Sequence, residues 1–162
     1  TLEMHAAVVV KQDDGEVGYL FLGHSGTGKS THARQWLQAF TDTWLLNDDN
    51  PILRIMDDGE IRVYGSPWSG KTPCYKNAHA RVGGIIKLSQ APRNFIQPLT
   101  LPQAYAHIYS STSGLKMIQE MADHLYESIK YIITNIKCYH LDCLPHIDAA
   151  TTCWKEIRDN SF

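Results

Sequence analysis

The sequence predicts an α/β fold in which a mixed β-sheet is flanked by helices. Three observations favour this class: β-rich runs alternate with segments of helical periodicity, two Asp-Asp-Gly-Glu turns each join a pair of strand-like segments, and a glycine-rich loop leads from a strand into a helix. Alternating strands and helices are typical of α/β proteins, whereas hairpins require antiparallel neighbours. We therefore expect both kinds of strand pairing in one sheet.

The first half of the chain is predicted to contain two hairpins, a helix and a short strand. Residues 4–11 are rich in valine, and residues 16–23 return as a second apolar strand after the first Asp-Asp-Gly-Glu turn. A helix follows the glycine-rich loop, because apolar side chains recur there at helical spacing, at Ala33, Trp36, Leu37 and Phe40. Residues 43–49 are typical of a short apolar strand that ends in two carboxylates, and residues 51–65 form the second hairpin.

The second half is predicted to alternate between strands and helices. We expect a strand at 81–90, a turn at 91–94 and a short extended piece at 95–100. Helices are expected at 101–111 and 115–136, a late strand at 137–144 and a final helix at 148–158. Thr100 and Asp148 are the expected N-caps of the first and last of these helices, and Pro102 suits a first helical turn. The segment 66–80 combines Pro, Gly and polar residues with aromatic ones, which is typical of an ordered functional loop.

The length and composition are those of one globular domain. The chain has 162 residues, of which 43% are hydrophobic and 20% charged. This is enough for one domain with a substantial core and too little for two large ones. We therefore expect a single domain over residues 1–162, and because the chain begins with Thr1 rather than Met, we leave open a trimmed N-terminus.

Charge and hydropathy limit the partners that the chain is expected to bind. The formal net charge is −2 and there is no block of Lys and Arg, which argues against a nucleic-acid-binding face. No apolar run approaches the length of a membrane span, and the start of the chain carries no signal-peptide pattern. The four cysteines form no Cys-x-x-Cys pair and no zinc-type spacing, as is usual for reduced thiols. We expect a cytoplasmic protein that binds neither nucleic acid nor membrane.

The most specific motif is the glycine-rich loop at residues 23–30, which follows the P-loop (Walker A) pattern Gly-x-x-x-x-Gly-Lys-Ser between a predicted strand and a predicted helix. Gly28 allows a close backbone approach, and successive N–H groups together with the helix N-terminus favour an anion. Lys29 is able to reach the β- and γ-phosphates, and the Ser30 hydroxyl suits Mg²⁺. The loop is thus predicted to bind the phosphate chain of a nucleotide. The candidate binding residues are Gly23, His24, Ser25, Gly26, Thr27, Gly28, Lys29, Ser30 and Thr31.

Two adjacent acids, Asp48 and Asp49, end the apolar strand about twenty residues after Lys29, where a Walker-B-type acid is expected. One carboxylate is suited to hold Mg²⁺, directly or through water, which leaves the other for a different task. Neighbouring carboxylates also raise each other's proton affinity, and this helps a catalytic base to work near neutral pH.

Three segments in this order resemble the catalytic domain of HPr kinase/phosphorylase and its phosphoenolpyruvate-carboxykinase-like relatives. They are Gly-His-Ser-Gly-Thr-Gly-Lys-Ser-Thr at 23–31, Leu-Leu-Asn-Asp-Asp at 45–49 and Gly-Ser-Pro-Trp-Ser-Gly-Lys at 65–71. The likeness extends from about Met4 to Leu144. It implies the fold of the HPr kinase C-terminal domain, with ATP and Mg²⁺ as cofactors.

The resemblance also implies a role for each matching residue. Asp48, the first acid of the pair, would take the proton from an attacking hydroxyl, while Asp49 would support the metal together with Ser30. His5, on the strand before the P-loop strand, matches a family histidine near the phosphates. Lys71 has two interpretations, a cation folded over the phosphates or a solvated lysine at a loop tip. The candidate catalytic residues are thus Asp48, Lys29, Lys71 and His5, and the candidate metal ligands are Ser30 and Asp49.

The chain also departs from the family pattern. Thr31 stands where the kinase/phosphorylases carry a Glu, and residues 65–77 replace their signature after the acid pair. The fold and nucleotide site therefore carry over better than the substrate. We expect an ATP-dependent kinase that phosphorylates a hydroxyl, foremost a serine in a protein or peptide. A small-molecule acceptor such as a free hydroxy-amino acid, and a non-catalytic nucleotide-binding switch module, remain as alternatives, and the family's oligomers make a homo-oligomer an open option.

Overall fold

The strands and helices were assigned from a computed structural model, which describes residues 1–12, 15–24, 26–68, 74, 76–113 and 119–160, with the backbone alone for Gln119. Within these residues the strands are β1 (Leu2–Glu3), β2 (Ala6–Gln12), β3 (Glu16–Leu22), β4 (Thr43–Asn47), β5 (Ile52–Ile55), β6 (Ile61–Tyr64), β7 (His79–Gln90), β8 (Phe95–Pro98) and β9 (Cys138–Cys143). The helices are α1 (Lys29–Ala39), α2 (Leu101–Ser111), α3 (Gln119–Asn135) and α4 (Asp148–Asp159). None of these helices is both long and apolar enough to cross a membrane.

The described strands belong to one mixed sheet. Its order is β1-β5-β6-β7-β3-β2-β4, and β9 pairs with both β7 and β8. β7 runs parallel to β3 and to β9, whereas the other pairs are antiparallel, including the two predicted hairpins β2–β3 and β5–β6. The predicted mixed sheet flanked by helices is therefore confirmed.

The two faces of the sheet bury separate cores. Side chains alternate along β2, so that Val8 and Val10 enter one core while Ala7 and Val9 enter the other. Helices α2 and α3 cover the first core, and α1 and α4 cover the second. Because β2 and β3 are buried on both faces, the P-loop that follows β3 starts from the most enclosed part of the sheet.

The ends of the helices match the prediction at one cap and differ at another. Thr100 is the N-cap of α2, where its side chain and that of Gln103 form a capping box. Asp148 was expected to cap α4, but this is wrong: Ile147 holds the cap position and Asp148 is the first helical residue. The backbone closes this turn, since Ala149 donates to the carbonyl of His146. The Asp148 carboxylate still lies where a helix dipole favours negative charge.

Two short segments complete the comparison with the predicted elements. β1 was not predicted, because two residues are too few to show a periodicity, and it exists through its pairing with β5. The helix predicted over 115–136 corresponds to α3, which ends at Asn135. Residues 115–118 lie outside the described part of the chain.

Candidate active site

The P-loop (residues 23–30) has glycines at two positions where a side chain is disfavoured. Gly28 has φ of 98°, in the left-handed region, and is the N-cap of α1. A Cβ on Gly23 would come within 2.2 Å of Thr27 Oγ1. That hydroxyl donates to the carbonyl of His24 at 2.6 Å, which fixes the turn of the loop. The loop geometry therefore explains both glycines that define the ends of the motif.

The N-terminus of α1 is available to an anion. Among the described residues no side chain caps it, and its first turn contains no acidic residue. The first N–H groups of a helix have no partner within the helix, and they carry the positive end of its dipole. A phosphate is the kind of ligand that such a terminus binds.

Lys29 spans the beginning of the loop. Its Nζ donates to the carbonyl of Gly23 at 2.8 Å and approaches that of His24 at 3.4 Å. Burial lowers the pKa of Lys29, while the negative charges of Asp49 and Asp48 oppose this shift. The ammonium is thus held between the loop backbone and the acid pair, where a phosphate oxygen would replace carbonyl contacts with an ionic one.

Ser30 and Asp48 are in direct contact. The Ser30 hydroxyl donates to Asp48 Oδ1 at 2.6 Å, and Asp48 is only 3% exposed. This contact joins the first turn of α1 to the end of β4. It brings together, beside the P-loop, two oxygen atoms of the kind that bind hard metal ions.

The acid pair is divided by the turn that follows β4. Asn47 is fully buried, and its Oδ1 accepts from the backbone N–H groups of Asp49 and Asn50 at 2.9 and 2.8 Å. Such a turn is characteristic of asparagine. Asp48 meets Ser30, whereas the Asp49 side chain accepts from Asn50 Nδ2 at 3.0 Å and lines a cavity with Lys29. Neighbouring carboxylates therefore have different surroundings.

That cavity, which we call the Lys29 cavity, has a volume of about 340 Å³. It lies between the P-loop, the start of β2, β7 and the C-terminal end of α2. Its basic and acidic lining consists of two lysines, three histidines and one carboxylate, with serines of α2 alongside. The residues are His5, Gly23, His24, Lys29, Asp49, Lys87, His107, Ser110 and Ser111. An excess of cationic groups in a recess favours an anionic ligand.

Lys87 is the principal residue of this cavity that the sequence analysis missed. It pairs with Leu22 in the parallel β3–β7 register, one residue before the P-loop begins. Burial and the charge of Lys29 lower its pKa, and it has no hydrogen-bond acceptor among the described residues. A lysine within the apolar run Ile85-Ile86-Lys87-Leu88 was the available signal, but the strand that it neighbours depends on the topology.

The other missed residues come from α2. His107, Ser110 and Ser111 line the cavity at the C-terminal end of that helix. Burial lowers the pKa of His107, with smaller contributions from Lys87 and His140. Nothing local in the sequence of α2 links it to a loop almost eighty residues earlier.

His5 lies in the Lys29 cavity, where the resemblance predicted a histidine near phosphates. It directly precedes β2, and its backbone N–H donates to the carbonyl of Ser111 at 2.7 Å. Its Nε2 lies 3.1 Å from the hydroxyl of Ser113. These contacts tie the start of β2 to the end of α2 and so hold two walls of the cavity together.

A second cavity, the Thr31 cavity, lies on the other side of the P-loop and has a volume of about 330 Å³. Gly26, Thr27, Gly28 and Thr31 line it, so the predicted nucleotide-binding residues divide between two recesses. The predicted residues Ser25 and Lys71 lie outside the described part of the chain, and their roles stay predictions. The nearby Trp68 is described, and its carbonyl accepts from Asn47 Nδ2 at 3.0 Å.

The donor set fits Mg²⁺ bound together with a nucleotide better than a metal held by protein alone. In the described ranges, no group of three or more His, Cys, Asp or Glu side chains is placed to hold a metal ion. Magnesium commonly takes one or two carboxylates and completes its shell with substrate phosphates and water. The Ser30 hydroxyl and the Asp48 carboxylate provide oxygen donors of this kind.

Comparison with known proteins bears on the fold. No family model matches the chain, and no curated protein matches it in sequence. Among solved structures, it is similar to that of the Hpr(Ser) kinase/phosphatase from Coxiella burnetii, with a TM-score of 0.54 and 12% identity over 97% of this chain and 88% of that one. At this identity the likeness concerns the fold alone. The chain has an HPr kinase-like fold, as the resemblance in sequence predicted.

Proposed function

We propose that the protein is an ATP-dependent kinase that transfers the γ-phosphoryl group to a hydroxyl, foremost that of a serine in a protein or peptide. The observation that carries this proposal is the Lys29 cavity, in which a P-loop lysine and a carboxylate from the acid pair line one cationic recess. Binding alone requires the loop, the helix terminus and the lysine. A carboxylate facing the same recess is what phosphoryl transfer to a hydroxyl requires in addition.

The P-loop binds the phosphate chain in this proposal. The N-terminus of α1 and the described residues from Gly23 to Thr31 would provide N–H groups, while Lys29 would neutralise phosphate charge. Ser25 stays a predicted binding residue. Ser30 and Asp48 would hold Mg²⁺, which when bound offsets negative charge on the phosphates. We assign this task to Asp48 rather than to Asp49 because Asp48 is the acid that contacts the Ser30 hydroxyl.

Asp49 is then the base. The acceptor oxygen attacks the γ-phosphorus, its proton passes to the Asp49 carboxylate, and ADP leaves with the electron pair of the broken P–O bond. The resemblance implied the reverse division, with Asp48 as the base and Asp49 beside the metal. The different surroundings of the two acids support the division proposed here. Lys29 and Lys87 line the cavity in which the phosphoryl group would be transferred, and their positive charges would stabilise its negative charge. Lys71 keeps its predicted role as a further cation.

A small-molecule acceptor is the second candidate. Convergent polar groups are typical of small-molecule sites, and the end of α2 contributes such groups to one wall of the Lys29 cavity through His107, Ser110 and Ser111. A homo-oligomer, a cytoplasmic location and a single domain over residues 1–162 stay predictions that accompany the proposal.

Acceptor-stimulated turnover tests the proposed function. Consumption of Mg-ATP is measured with an HPr-type protein, a serine peptide, free serine or no acceptor, and the phosphorylated product is identified by mass spectrometry. We expect one acceptor to stimulate turnover in the wild type and not in Asp49→Asn. Binding of ATP without stimulation by any acceptor would instead support a nucleotide-binding switch module.

A further inference from the structure

Three arginines lie side by side across adjacent strands near one end of the sheet. Arg54 of β5 pairs directly with Arg62 of β6, and Arg62 pairs directly with Arg81 of β7. We call these three residues the arginine row. Like charges directly opposite one another destabilise a sheet. A row of this kind therefore costs free energy in the isolated chain, and a negatively charged partner would offset that cost.

The arginine row faces away from the first core. The residues on either side of each arginine along its strand are apolar and pack in that core, among them Leu53 and Val63, and side chains alternate between the two faces of a strand. On the other face, the second core includes no described residue of β5 or β6. Arg54 and Arg81 are accordingly exposed, and the Arg62 side chain is 29% exposed.

The described residues compensate the row only in part. Arg62 Nε donates to Glu60 Oε1 at 2.6 Å, whereas Arg54 forms no ion pair with a described residue. Arg81 has a further contact of its own, so Arg54 and Arg62 are the two residues assigned to a partner here. A surface that gathers guanidinium groups favours a negatively charged partner.

The outer face of α3 carries acidic residues at regular spacing. Glu120, Asp123 and Glu127 follow one another at intervals of three and four positions, which places them on one face of a helix. All three are exposed, and we call them the acidic stripe. Leu125 and Ile129 of the same helix pack in the first core. The stripe is therefore directed away from the sheet that α3 covers.

The spacing of the stripe matches that of the row. Adjacent strands lie about 4.8 Å apart, so three strands span roughly 10 Å. The seven steps from Glu120 to Glu127 also span roughly 10 Å along a helix axis. Each surface has one charge of the opposite sign nearby, Glu60 beside the row and Lys130 one turn after the stripe. A helix laid across the three strands would thus bring each acid opposite an arginine.

We propose that the arginine row of one copy of this chain binds the acidic stripe of a second copy. The row lies on the sheet face of the second core, whereas α3 covers the first core. Because the two surfaces point in opposite directions, a pair of copies cannot form both contacts at once. The interface is therefore heterologous and joins copies head to tail. It is independent of the proposed function, since neither surface lines the Lys29 cavity or the Thr31 cavity.

Sedimentation velocity over a concentration series tests the proposal at low salt and in about 0.5 M NaCl, where exposed charges are screened. The row variant carries Arg54→Gln and Arg62→Gln, and the stripe variant carries Glu120→Gln and Glu127→Gln. These substitutions remove charge at exposed positions and introduce none, so the two variants do not attract each other through new ion pairs.

The matched control is the double variant Arg93→Gln and Arg158→Gln. It changes the net charge as the row variant does, at exposed arginines outside the row. Arg81 and Asp123, which have further contacts, stay unchanged in every variant. Thermal melting verifies that each variant is folded.

We expect the wild type to associate at low salt and to dissociate at high salt, because the contact consists of exposed ion pairs. The row variant and the stripe variant should each lower the association constant about tenfold, while the control associates like the wild type. An equimolar mixture of the two variants should form a dimer and nothing larger. The row variant keeps the stripe and the stripe variant keeps the row, so one contact is restored and the chain of copies ends there.

A wild type that stays monomeric at every concentration in low salt would overturn the proposal and leave the row to a different acidic partner. Association that the row variant and the stripe variant retain in full would place the interface elsewhere on the surface. Species larger than a dimer in the mixture of variants would overturn the head-to-tail arrangement.

Discussion

The Lys29 cavity and the Thr31 cavity share one wall, the P-loop, and differ in the charge of their linings. The first gathers two lysines, three histidines and a carboxylate, whereas the described lining of the second carries no acidic residue, lysine or arginine. The difference arises from the sheet. Lys87 lies beside the start of the P-loop on β7, and Gln90 lies at the end of the same strand. Among the described residues, two neighbouring recesses of one loop therefore have linings of different charge.

The largest expected effect concerns the carboxylate of the Lys29 cavity. Asp49→Asn removes a base and keeps the shape, so we expect acceptor-stimulated turnover to fall by about 10²–10⁴-fold with ATP affinity retained. Asp48→Asn is the matched neighbour, and it should instead raise the Mg²⁺ concentration that half-maximal activity needs. Steady-state kinetics over a magnesium series distinguish the two. An Asp49→Asn enzyme with normal turnover would show that the base lies elsewhere.

Lys29→Ala should reduce the affinity for Mg-ATP by about 100-fold. Its ammonium is the P-loop cation, and charge-assisted hydrogen bonds to phosphate are among the stronger polar contacts. Calorimetry measures the loss, and Lys76→Ala, at a lysine that donates to the carbonyl of Leu45 away from both cavities, serves as the control. Equal affinities in the wild type and Lys29→Ala would remove the phosphate chain from this loop.

The neutral character of the Thr31 cavity predicts a pH dependence of stability. Burial disfavours the charged form of His32 and lowers its pKa from 6.5 to about 4, although a hydrogen bond with the Gln35 side chain opposes this shift. The unfolded chain therefore binds an additional proton between these values, and the free energy of unfolding falls as the pH is lowered through this window, by up to about 3 kcal/mol. Above pH 6.5 this residue contributes no slope.

Chemical denaturation from pH 4 to pH 8 measures this dependence. His32→Gln has no titrating ring and keeps a polar side chain, so its profile should lack the His32 component. Identical slopes in the two proteins would mean that the histidine is not buried in its neutral form.

The smallest expected effect is that of Lys87→Met, which keeps most of the side-chain length and removes the charge. We expect kcat/KM for ATP to fall about tenfold, since a half-buried cation is partly screened by solvent. The loss should shrink as the salt concentration rises. A salt-independent loss would indicate a packing role in place of an electrostatic one.

The sequence predicts features that are encoded locally. The P-loop pattern, its flanking strand and helix, the two hairpins and the Thr100 cap each depend on a few consecutive residues. The acid pair was identified for the same reason. The different surroundings of its members are not encoded locally, because the two side chains separate at a turn formed by Asn47 and Asp48 meets Ser30 of α1.

The rest of the site depends on contacts between distant segments. Lys87 reaches the P-loop through a parallel strand register, and the serines of α2 reach it because the end of that helix binds the start of β2 at His5. The periodicity of apolar residues in the sequence does not reveal contacts between such distant segments. The Asp148 cap failed on a smaller scale, since backbone groups near His146 close the turn without its side chain.

β7 also fixes a length. Lys87 and Gln90 are three residues apart on one extended strand, which separates them by roughly 10 Å along its axis. Pairing with β3 ends at Lys87, whereas pairing with β9 continues to Gln90. The strand thus sets the distance between the two recesses. The distance between the two recesses is therefore set by the pairing of β7 with β9 over residues 87–90.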